Sequence, residues 1–333
     1  MIELAGIPLW IWGSFLGFVF LMLALDLGVF HKEAHVVNMR EALAWSAVWI
    51  ALALVFNAGI FAFWDNIYPD SQYTPKEAGF AFLAGYLIEK ALSVDNIFVF
   101  LMVFAYFKVP QKYQHRVLFY GILGALIFRS IFIALGASIL ERFMWTMILF
   151  GIFLIFTGIK MIAIKDKQLN PDQNPVIRAF RKLMPVTPGY EGQKFFKRID
   201  GKLWATPLFI TLLFIELTDV IFAVDSIPAI FAITSDPFIV FTSNVFAILG
   251  LRALFFALAG LMNLFHYLSY GLAAILMFVG GKMIYAYVEK VVQPDLAKFP
   301  IVWSLMIIMT ILGASIFASL KWPPKEATHP VAS

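Results

Sequence analysis

The chain has 333 residues, of which 62% are hydrophobic and only 14% are charged, and its formal net charge is +4. This polar fraction is too small to cover a water-soluble globule, and the modest charge does not indicate a nucleic-acid-binding surface. The chain contains no cysteine, which excludes disulfides, thiolate metal sites and cysteine-based catalysis.

Long uncharged runs predict an all-α, polytopic membrane protein with about nine transmembrane helices, since each run reaches the ~20 residues that a helix needs to span a bilayer. The first run lacks the preceding basic region of a signal peptide, and we interpret it as a transmembrane helix. The predicted spans cover approximately residues 7–30, 42–64, 77–107, 116–139, 143–164, 204–233, 238–262, 266–288 and 299–320.

The sequence predicts that the chain is divided into five successive parts. Residues 1–76 contain two N-terminal helices, residues 77–164 contain a first unit of three helices, and residues 165–203 form a basic cytoplasmic loop. Residues 204–289 contain a second unit of three helices, and residues 290–333 contain the last helix and a tail.

Lysine and arginine residues concentrate in alternate connections between the predicted helices. The longest of these, the loop 165–203, contains nine of them. Because short cytoplasmic loops have an excess of basic residues, this distribution places the N-terminus outside and the C-terminus in the cytoplasm, and we expect the inner membrane of a bacterium. The loop has scattered Pro and Gly and little periodicity, so we interpret it as a tether or as a surface for a protein partner.

The sixth predicted helix contains three carboxylates, Glu216, Asp219 and Asp225, within an apolar stretch. Each would cost roughly 2.5–3.5 kcal/mol in lipid, so such residues usually face a protein interior or a hydrated cavity and have a function. A second copy of this motif is present in the third predicted helix. The aligned pairs are Glu89 with Asp219, Asp95 with Asp225, and Asn96 with Ser226.

The similarity extends over three helices in each copy. Arg129 of the fourth helix aligns with Arg252 of the seventh, and Lys160 of the fifth aligns with Lys282 of the eighth. Since each unit has an odd number of helices, the two copies would cross the membrane in opposite directions, which predicts an inverted repeat of the kind found in many transporters. Pro228 predicts a break in the sixth helix.

The acidic residues predict a site for a hard divalent cation. Residues six apart on one helix point about 120° away from each other, so a complete site needs side chains from both copies. Oxygen ligands without sulfur or imidazole favour Mn²⁺, Mg²⁺ or Ca²⁺ over copper or zinc. The predicted ligands are Glu89, Asp95, Asn96, Glu216, Asp219, Asp225 and Ser226.

Other charged residues allow a second interpretation of the acids. Arg129 and Arg252 lie near the middle of the membrane in the predicted topology, and they either pair with the acids, which would allow the helices to pack, or gate an ion pathway. Asp26 lies near the cytoplasmic end of the first predicted helix. It belongs either to an access route for the ion or to the membrane interface.

Both copies of the acidic motif are long and distinctive: Y-L-I-E-K-A-L-S-V-D-N-I-F-V-F begins at Tyr86, and I-E-L-T-D-V-I-F-A-V-D-S-I-P-A-I begins at Ile215. They closely resemble the TerC family of membrane proteins, and its Alx-like branch in particular, and the resemblance extends over nearly the whole chain. It implies a member of the LysE-type transporter superfamily, associated with manganese export, tellurite resistance and metal supply to enzymes outside the membrane. It also implies that the seven predicted ligands are the functional positions.

Together these features predict an exporter that moves Mn²⁺ from the cytoplasm to the periplasm in exchange for protons, with Ca²⁺ and Mg²⁺ as alternative substrates. We expect no enzymatic activity and no permanently bound cofactor; the partners would be the cation, the proton and the lipid bilayer, and no nucleic acid. A role as a redox modulator, which is attached to the Alx-like branch, has no support in a chain without cysteine. Two alternatives stay open, a non-transporting scaffold for metallation or biogenesis of other proteins, and a proton or calcium pathway.

Overall fold

The computed structural model describes residues 3–4, 7–28, 38–163, 174–259 and 267–322, and helices form most of this part of the chain. A π-helical turn extends one of them. The helices are α1 (Leu9–Gly28), α2 (Met39–Ile67), α3 (Pro75–Tyr106), α4 (Gln111–Arg142), α5 (Thr146–Ala163), α6 (Pro175–Leu183), α7 (Pro207–Phe231), α8 (Pro237–Leu249), α9 (Leu251–Ala259), α10 (Leu268–Tyr287, extended by the π-helical turn Val288–Val292) and α11 (Ile301–Lys321).

Two short antiparallel pairs of strands complete the described structure. One pair, β1 (Glu3–Leu4) and β2 (Ile7–Pro8), precedes α1. The other pair, β3 (Phe196–Ile199) and β4 (Lys202–Ala205), precedes α7.

The transmembrane helices are identified by their length and apolar composition. Within the described residues, six helices meet this description, and there are seven if α8 and α9, which are bent by 42° relative to each other, form one span. The chain is therefore a polytopic all-α membrane protein, as predicted. Two segments account for the difference from the predicted nine: α1 is apolar over Leu9–Leu25 only, and α3 contains several charged residues. The count of nine stays a prediction.

Local sequence signals define where the central helices begin. Thr74 caps α3: its side chain accepts a hydrogen bond from the backbone N–H of Glu77, and the Glu77 side chain accepts one from the backbone of Thr74. Asp236 caps α8 by accepting from the backbone N–H groups of Phe238 and Ile239. Such caps satisfy N–H groups that have no partner within the helix.

Helices α3 and α7, which contain the two acidic motifs, lie at the centre of the bundle. Helix α3 packs against α2, α7, α8 and α11, and α7 packs against α3 and α4. Helices α5 and α10 form a separate, very close pair, because a Cβ atom at Gly151 would lie 2.7 Å from the carbonyl oxygen of Gly280. At the other crossing point, a Cβ atom at Gly158 would lie 2.7 Å from the carbonyl oxygen of Ala273. Small residues allow this approach of two backbones.

The predicted break at Pro228 is wrong. Helix α7 continues through Pro228 to Phe231, because a proline near the end of a helix removes only one late backbone hydrogen bond. The interruption in the second unit lies instead at Gly250, between α8 and α9.

The loop 165–203 is more regular than its sequence indicated. Its described part contains α6 and most of the hairpin of β3 and β4, whose turn residues Asp200 and Gly201 have φ angles of 49° and 76°. Positive φ at both central residues is typical of type I′ hairpins, for which Asp-Gly is a preferred sequence. The hydroxyl of Tyr190 donates a hydrogen bond of 2.6 Å to the carbonyl oxygen of Phe107. The loop is therefore attached to the end of α3.

Candidate functional site

Arg129 of α4 joins the two acidic motifs inside the protein. Its side chain is 2% exposed, and it donates two parallel hydrogen bonds to Asp219 of α7, from Nε to Oδ2 at 3.1 Å and from Nη2 to Oδ1 at 2.9 Å. Its Nη1 forms an ion pair with Glu89 of α3 and lies 3.4 Å from the hydroxyl oxygen of Ser226. A bidentate arginine–carboxylate pair is a strong and directional interaction. One guanidinium thus connects α3, α4 and α7.

A fourth helix reaches this cluster through Asn244 of α8. Its Nδ2 donates a hydrogen bond of 3.1 Å to Oε2 of Glu89, so both oxygens of this carboxylate are bonded. Among the described residues, Asn244 Oδ1 and the hydroxyls of Ser93 and Tyr86 are buried without a hydrogen-bond partner. Buried polar atoms usually have a partner, which can be water or an ion. The region around Glu89 therefore has the capacity to bind further polar groups.

Glu216 lies three residues before Asp219 on α7, and its carboxylate packs directly on Gly124 of α4. A Cβ atom at position 124 would overlap the carboxylate oxygens, so the side chain fits only because α4 has a glycine there. In the described part of the chain, the buried Oε2 of Glu216 has no hydrogen-bond partner. Glu216 is therefore a closely packed acid, and one of its carboxylate oxygens lacks a hydrogen-bond partner among the described residues.

A narrow cavity lies beside the cluster, between α3, α4, α7 and α9. Its polar lining comes from Asp219 and Arg252, so the second of the repeat-related arginines lines the same cavity as the acid that pairs with Arg129. The other lining residues are Phe100, Leu118, Gly121, Ile122, Ala125, Ile215 and Leu251.

The remaining predicted ligands lie apart from the guanidinium of Arg129. Asp225 Oδ1 accepts a hydrogen bond of 3.3 Å from the hydroxyl of Thr157 on α5. Asp95 is partly exposed, and no hydrogen bond reaches it from the described residues. Asn96 is 3% exposed. Asp26 lies in α1, but its side chain is outside the described part of the structure.

The structure thus brings together Glu89, Asp219 and Ser226, with Glu216 next to them, and does not gather all seven predicted ligands at one point. No three His, Asp or Glu side chains in the described residues are close enough to hold a metal ion. Of the two roles predicted for Arg129, the geometry supports pairing with the acids. Two further residues of the site, Asn244 and Gly124, were not predicted. The polar run T-S-N at 242–244 could have indicated Asn244, whereas nothing in the sequence indicates Gly124.

Comparison with known proteins gives a family and several relatives. Residues 74–327 match the family described as "Integral membrane protein TerC family". A protein of Myxococcus xanthus, "Uncharacterized membrane protein STKORF319", is 52% identical over 310 residues, which are 93% of this chain and 92% of the relative. The "Putative membrane-bound redox modulator Alx" of Escherichia coli K12 is 46% identical over 308 residues, 92% of each chain.

A third relative, "Uncharacterized membrane protein" of Rickettsia bellii, is 42% identical over 310 residues, which are 93% of this chain and 96% of the relative. No solved structure matches the chain significantly. The similarity to the three relatives extends over nearly the full length of both chains, and so it includes α3, α4 and α7 with the residues of the cluster.

Proposed function

The chain belongs to the TerC family of integral membrane proteins, and on this basis we propose that it is a secondary transporter that exports Mn²⁺ from the cytoplasm in exchange for protons. The observation that carries the proposal is the meeting of the two acidic motifs: Glu89 of α3 and Asp219 of α7 converge on one buried positive charge, Arg129. Ionisable residues inside a membrane protein usually mark an ion pathway. A position where two carboxylates converge on one cation is suited to hold a transported cation as well.

The chemistry of the side chains limits the kind of cation. Carboxylate, amide and hydroxyl oxygens are suited to hard divalent cations, and the resemblance to a family associated with manganese export favours Mn²⁺ over Mg²⁺ and Ca²⁺. The carboxylates bind a metal ion when they are ionised and release it when they are protonated. Glu216, with an oxygen that has no partner among the described residues, is the group best placed to exchange a proton. The proposal assigns no enzymatic reaction and no resident cofactor to the chain.

Two sets of equivalent contacts support the inverted repeat on which this mechanism depends. In the alignment of the two units, α3 corresponds to α7, α4 to α8 and α9, and α5 to α10. Helix α4 packs on α7 while α8 packs on α3, as expected for a two-fold relation. Gly151 contacts Gly280, and the aligned positions, Ala273 and Gly158, contact each other as well. Rocking of two such units around a central site is a common way to alternate access.

We propose the inner membrane of a bacterium as the location, with the N-terminus outside and the C-terminus in the cytoplasm, because the basic residues of the loop 165–203 then lie on the cytoplasmic side.

Metal flux in proteoliposomes with a pH-sensitive dye inside tests the proposal. We expect Mn²⁺ to be transported with a counter-flow of protons, and Glu89→Gln and Asp219→Asn, which change the two carboxylates that meet at Arg129, each to reduce the Mn²⁺ flux by about tenfold or more. Asp70→Asn is the control, because this exposed aspartate lies in the turn before α3. Unchanged Mn²⁺ flux in both motif variants, with normal expression, would contradict the site assignment. Flux of protons or Ca²⁺ that is independent of Mn²⁺ would support a proton or calcium pathway instead.

A scaffold function is the second candidate, and the ordered loop favours it. Helix α6 presents the exposed basic residues Arg178 and Lys182 on a segment that is attached to the end of α3. A scaffold that recruits other proteins through this surface predicts that charge reversal at both residues abolishes the cellular phenotype, while Asp219→Asn does not. A transporter predicts the opposite pattern.

A further inference from the structure

We propose that Arg129 is a tethered substitute for the transported cation: its guanidinium binds Glu89 and Asp219 while the site contains no metal ion, and it leaves them when a divalent cation binds. This inference rests on the proposed function and describes how the same site is controlled.

The inference is based on the position of the Arg129 guanidinium. Among the described residues, the hydrogen bonds of Arg129 go to Asp219, Glu89 and Ser226 alone. All three are residues that the acidic motifs predict as metal ligands. The arginine therefore occupies the oxygen atoms that a cation would need, and it does so from α4, outside both motifs.

Charge and burial show why the two cations would compete. Arg129, Glu89 and Asp219 are 2%, 0% and 3% exposed, so water screens their charges little. A divalent ion held by the same two carboxylates would lie within a few ångströms of the guanidinium, and two positive charges at such a distance repel strongly in a protein interior. Both oxygens of Asp219 are already used by the bidentate pair. Metal binding through Asp219 thus requires the guanidinium to move.

This competition has a consequence for transport. With the arginine in place, the metal-free site has one positive charge against two carboxylates, so closing it off from water has a smaller electrostatic cost than it would with two unpaired acids. The arginine would therefore permit the metal-free protein to switch its access from one side of the membrane to the other. It would also weaken metal binding, and so favour release.

Two variants separate this role from a structural one. Arg129→Ala removes the competing charge, and Arg129→Lys keeps a positive charge that cannot form the bidentate pair. Arg116→Gln is the control on the same helix, because Arg116 contacts Gln193 of the loop and not the acids. Binding is measured on the purified full chain in detergent from the loss of the electron paramagnetic resonance signal of free Mn²⁺, and flux is measured in proteoliposomes.

We expect Arg129→Ala to bind Mn²⁺ more tightly than the wild type by about tenfold or more, because two uncompensated carboxylates attract a cation more strongly, and to transport it more slowly. Arg129→Lys is expected between the two, and Arg116→Gln is expected to equal the wild type. Added guanidinium ion should lower the Mn²⁺ affinity of Arg129→Ala toward the wild-type value and leave the wild type unchanged. A merely structural role would lower binding and flux together.

If Arg129→Ala does not fold, Arg129→Lys, which retains the charge, decides the question with the same measurements. Mn²⁺ affinity equal to or below that of the wild type in every folded Arg129 variant would overturn the inference, as would the absence of competition by guanidinium in a folded Arg129→Ala. A wild type that neither binds nor transports Mn²⁺ would overturn the proposed function together with the inference, whereas normal transport with unchanged affinity in the variants would overturn the inference alone.

Discussion

Glu216 and Gly124 show how closely an acidic side chain can be held between two helices of this protein. Helix α4 has no side chain at position 124, and the carboxylate occupies the space that a Cβ atom would need. The sequence identified Glu216 as an unusual acid, because a charge in an apolar stretch is visible in any pattern of hydropathy. It did not identify Gly124, since the need for a glycine arises only from the packing of α4 on α7.

We predict that Gly124→Ala reduces both stability and Mn²⁺ flux. The added methyl group would displace the Glu216 carboxylate, and overpacking of this kind costs about 1–3 kcal/mol. Gly59→Ala on α2 is the control, because no atom lies within 4 Å of the added Cβ; it should be neutral or stabilise by up to ~1 kcal/mol. Thermal unfolding in detergent and flux in proteoliposomes measure both effects. Equal behaviour of the two variants would contradict the packing argument.

Asp236 is an acid outside the transmembrane helices whose protonation affects folding. Burial raises the pKa of its carboxyl above the usual range, although the hydrogen bonds from Ile239 and Phe238 act in the opposite direction. The folded chain therefore binds this proton more tightly than the unfolded chain does. Its contribution to stability is fully present below the unfolded pKa and falls as the pH rises toward the raised folded pKa.

We predict that Asp236→Asn keeps the cap of α8 and removes this part of the pH dependence, since asparagine is an equally good N-cap residue without a charge. Asp236→Ala should lose the cap and cost roughly 0.5–2 kcal/mol. Thermal unfolding of the three proteins at several pH values between about 4 and about 7 provides the comparison. If Asp236→Asn shows the same change of unfolding temperature with pH as the wild type, Asp236 is not the group responsible.

Helices α5 and α10 show which properties of a helix can be predicted from the sequence and which cannot. Their existence and approximate limits were predictable from apolar runs, because length and hydropathy are local properties. Their mutual contact was not, because small residues that face lipid and small residues that face another helix look the same in a sequence. Gly280 and Gly281 illustrate this: a Cβ atom at Gly280 would lie 2.6 Å from the carbonyl oxygen of Gly151, whereas one at Gly281 would meet nothing within 4 Å.

We therefore expect Gly280→Ala to separate α5 from α10 and to destabilise the protein by about 1–3 kcal/mol, because the neighbouring atom is backbone and cannot rotate away. Gly281→Ala, one residue later on the same helix, should be neutral or slightly stabilising, by up to ~1 kcal/mol. Urea-induced unfolding in detergent compares the two. Similar losses of stability in both variants would contradict the close packing of α5 against α10.

At the scale of the whole molecule, the sequence predicted an all-α polytopic membrane protein, and this is confirmed. It also placed Glu89, Asp219 and Ser226 in one site, and the structure brings these three together. It gave pairing with the acids as one of two roles for Arg129, but it did not predict that one guanidinium binds residues of both motifs. Spacing along a helix shows which residues share a face, but which helix supplies the counter-charge depends on how all the helices pack.

The orientation in the membrane is testable because the chain has no cysteine of its own. We predict that Asp70→Cys, in the exposed turn before α3, reacts with a membrane-impermeant maleimide in intact bacterial cells. Gly189→Cys, which is also exposed but lies in the basic loop, should react only after the membrane is opened. The reverse pattern of labelling would invert the proposed topology and with it the direction of transport.

The bend between α8 and α9 at Gly250 lies next to the part of α3 that contributes to the charge cluster. Interrupting a helix leaves carbonyl groups near its end in need of donors, and Lys90 donates a hydrogen bond of 3.2 Å to the carbonyl oxygen of Ala247 in the last turn of α8. A Cβ atom at Gly250 would lie 2.6 Å from Nζ of Lys90, so the glycine leaves room for the ammonium group. Since Glu89 and Lys90 are adjacent in α3, the same turn of this helix contacts both the charge cluster, through Glu89, and the bend between α8 and α9, through Lys90.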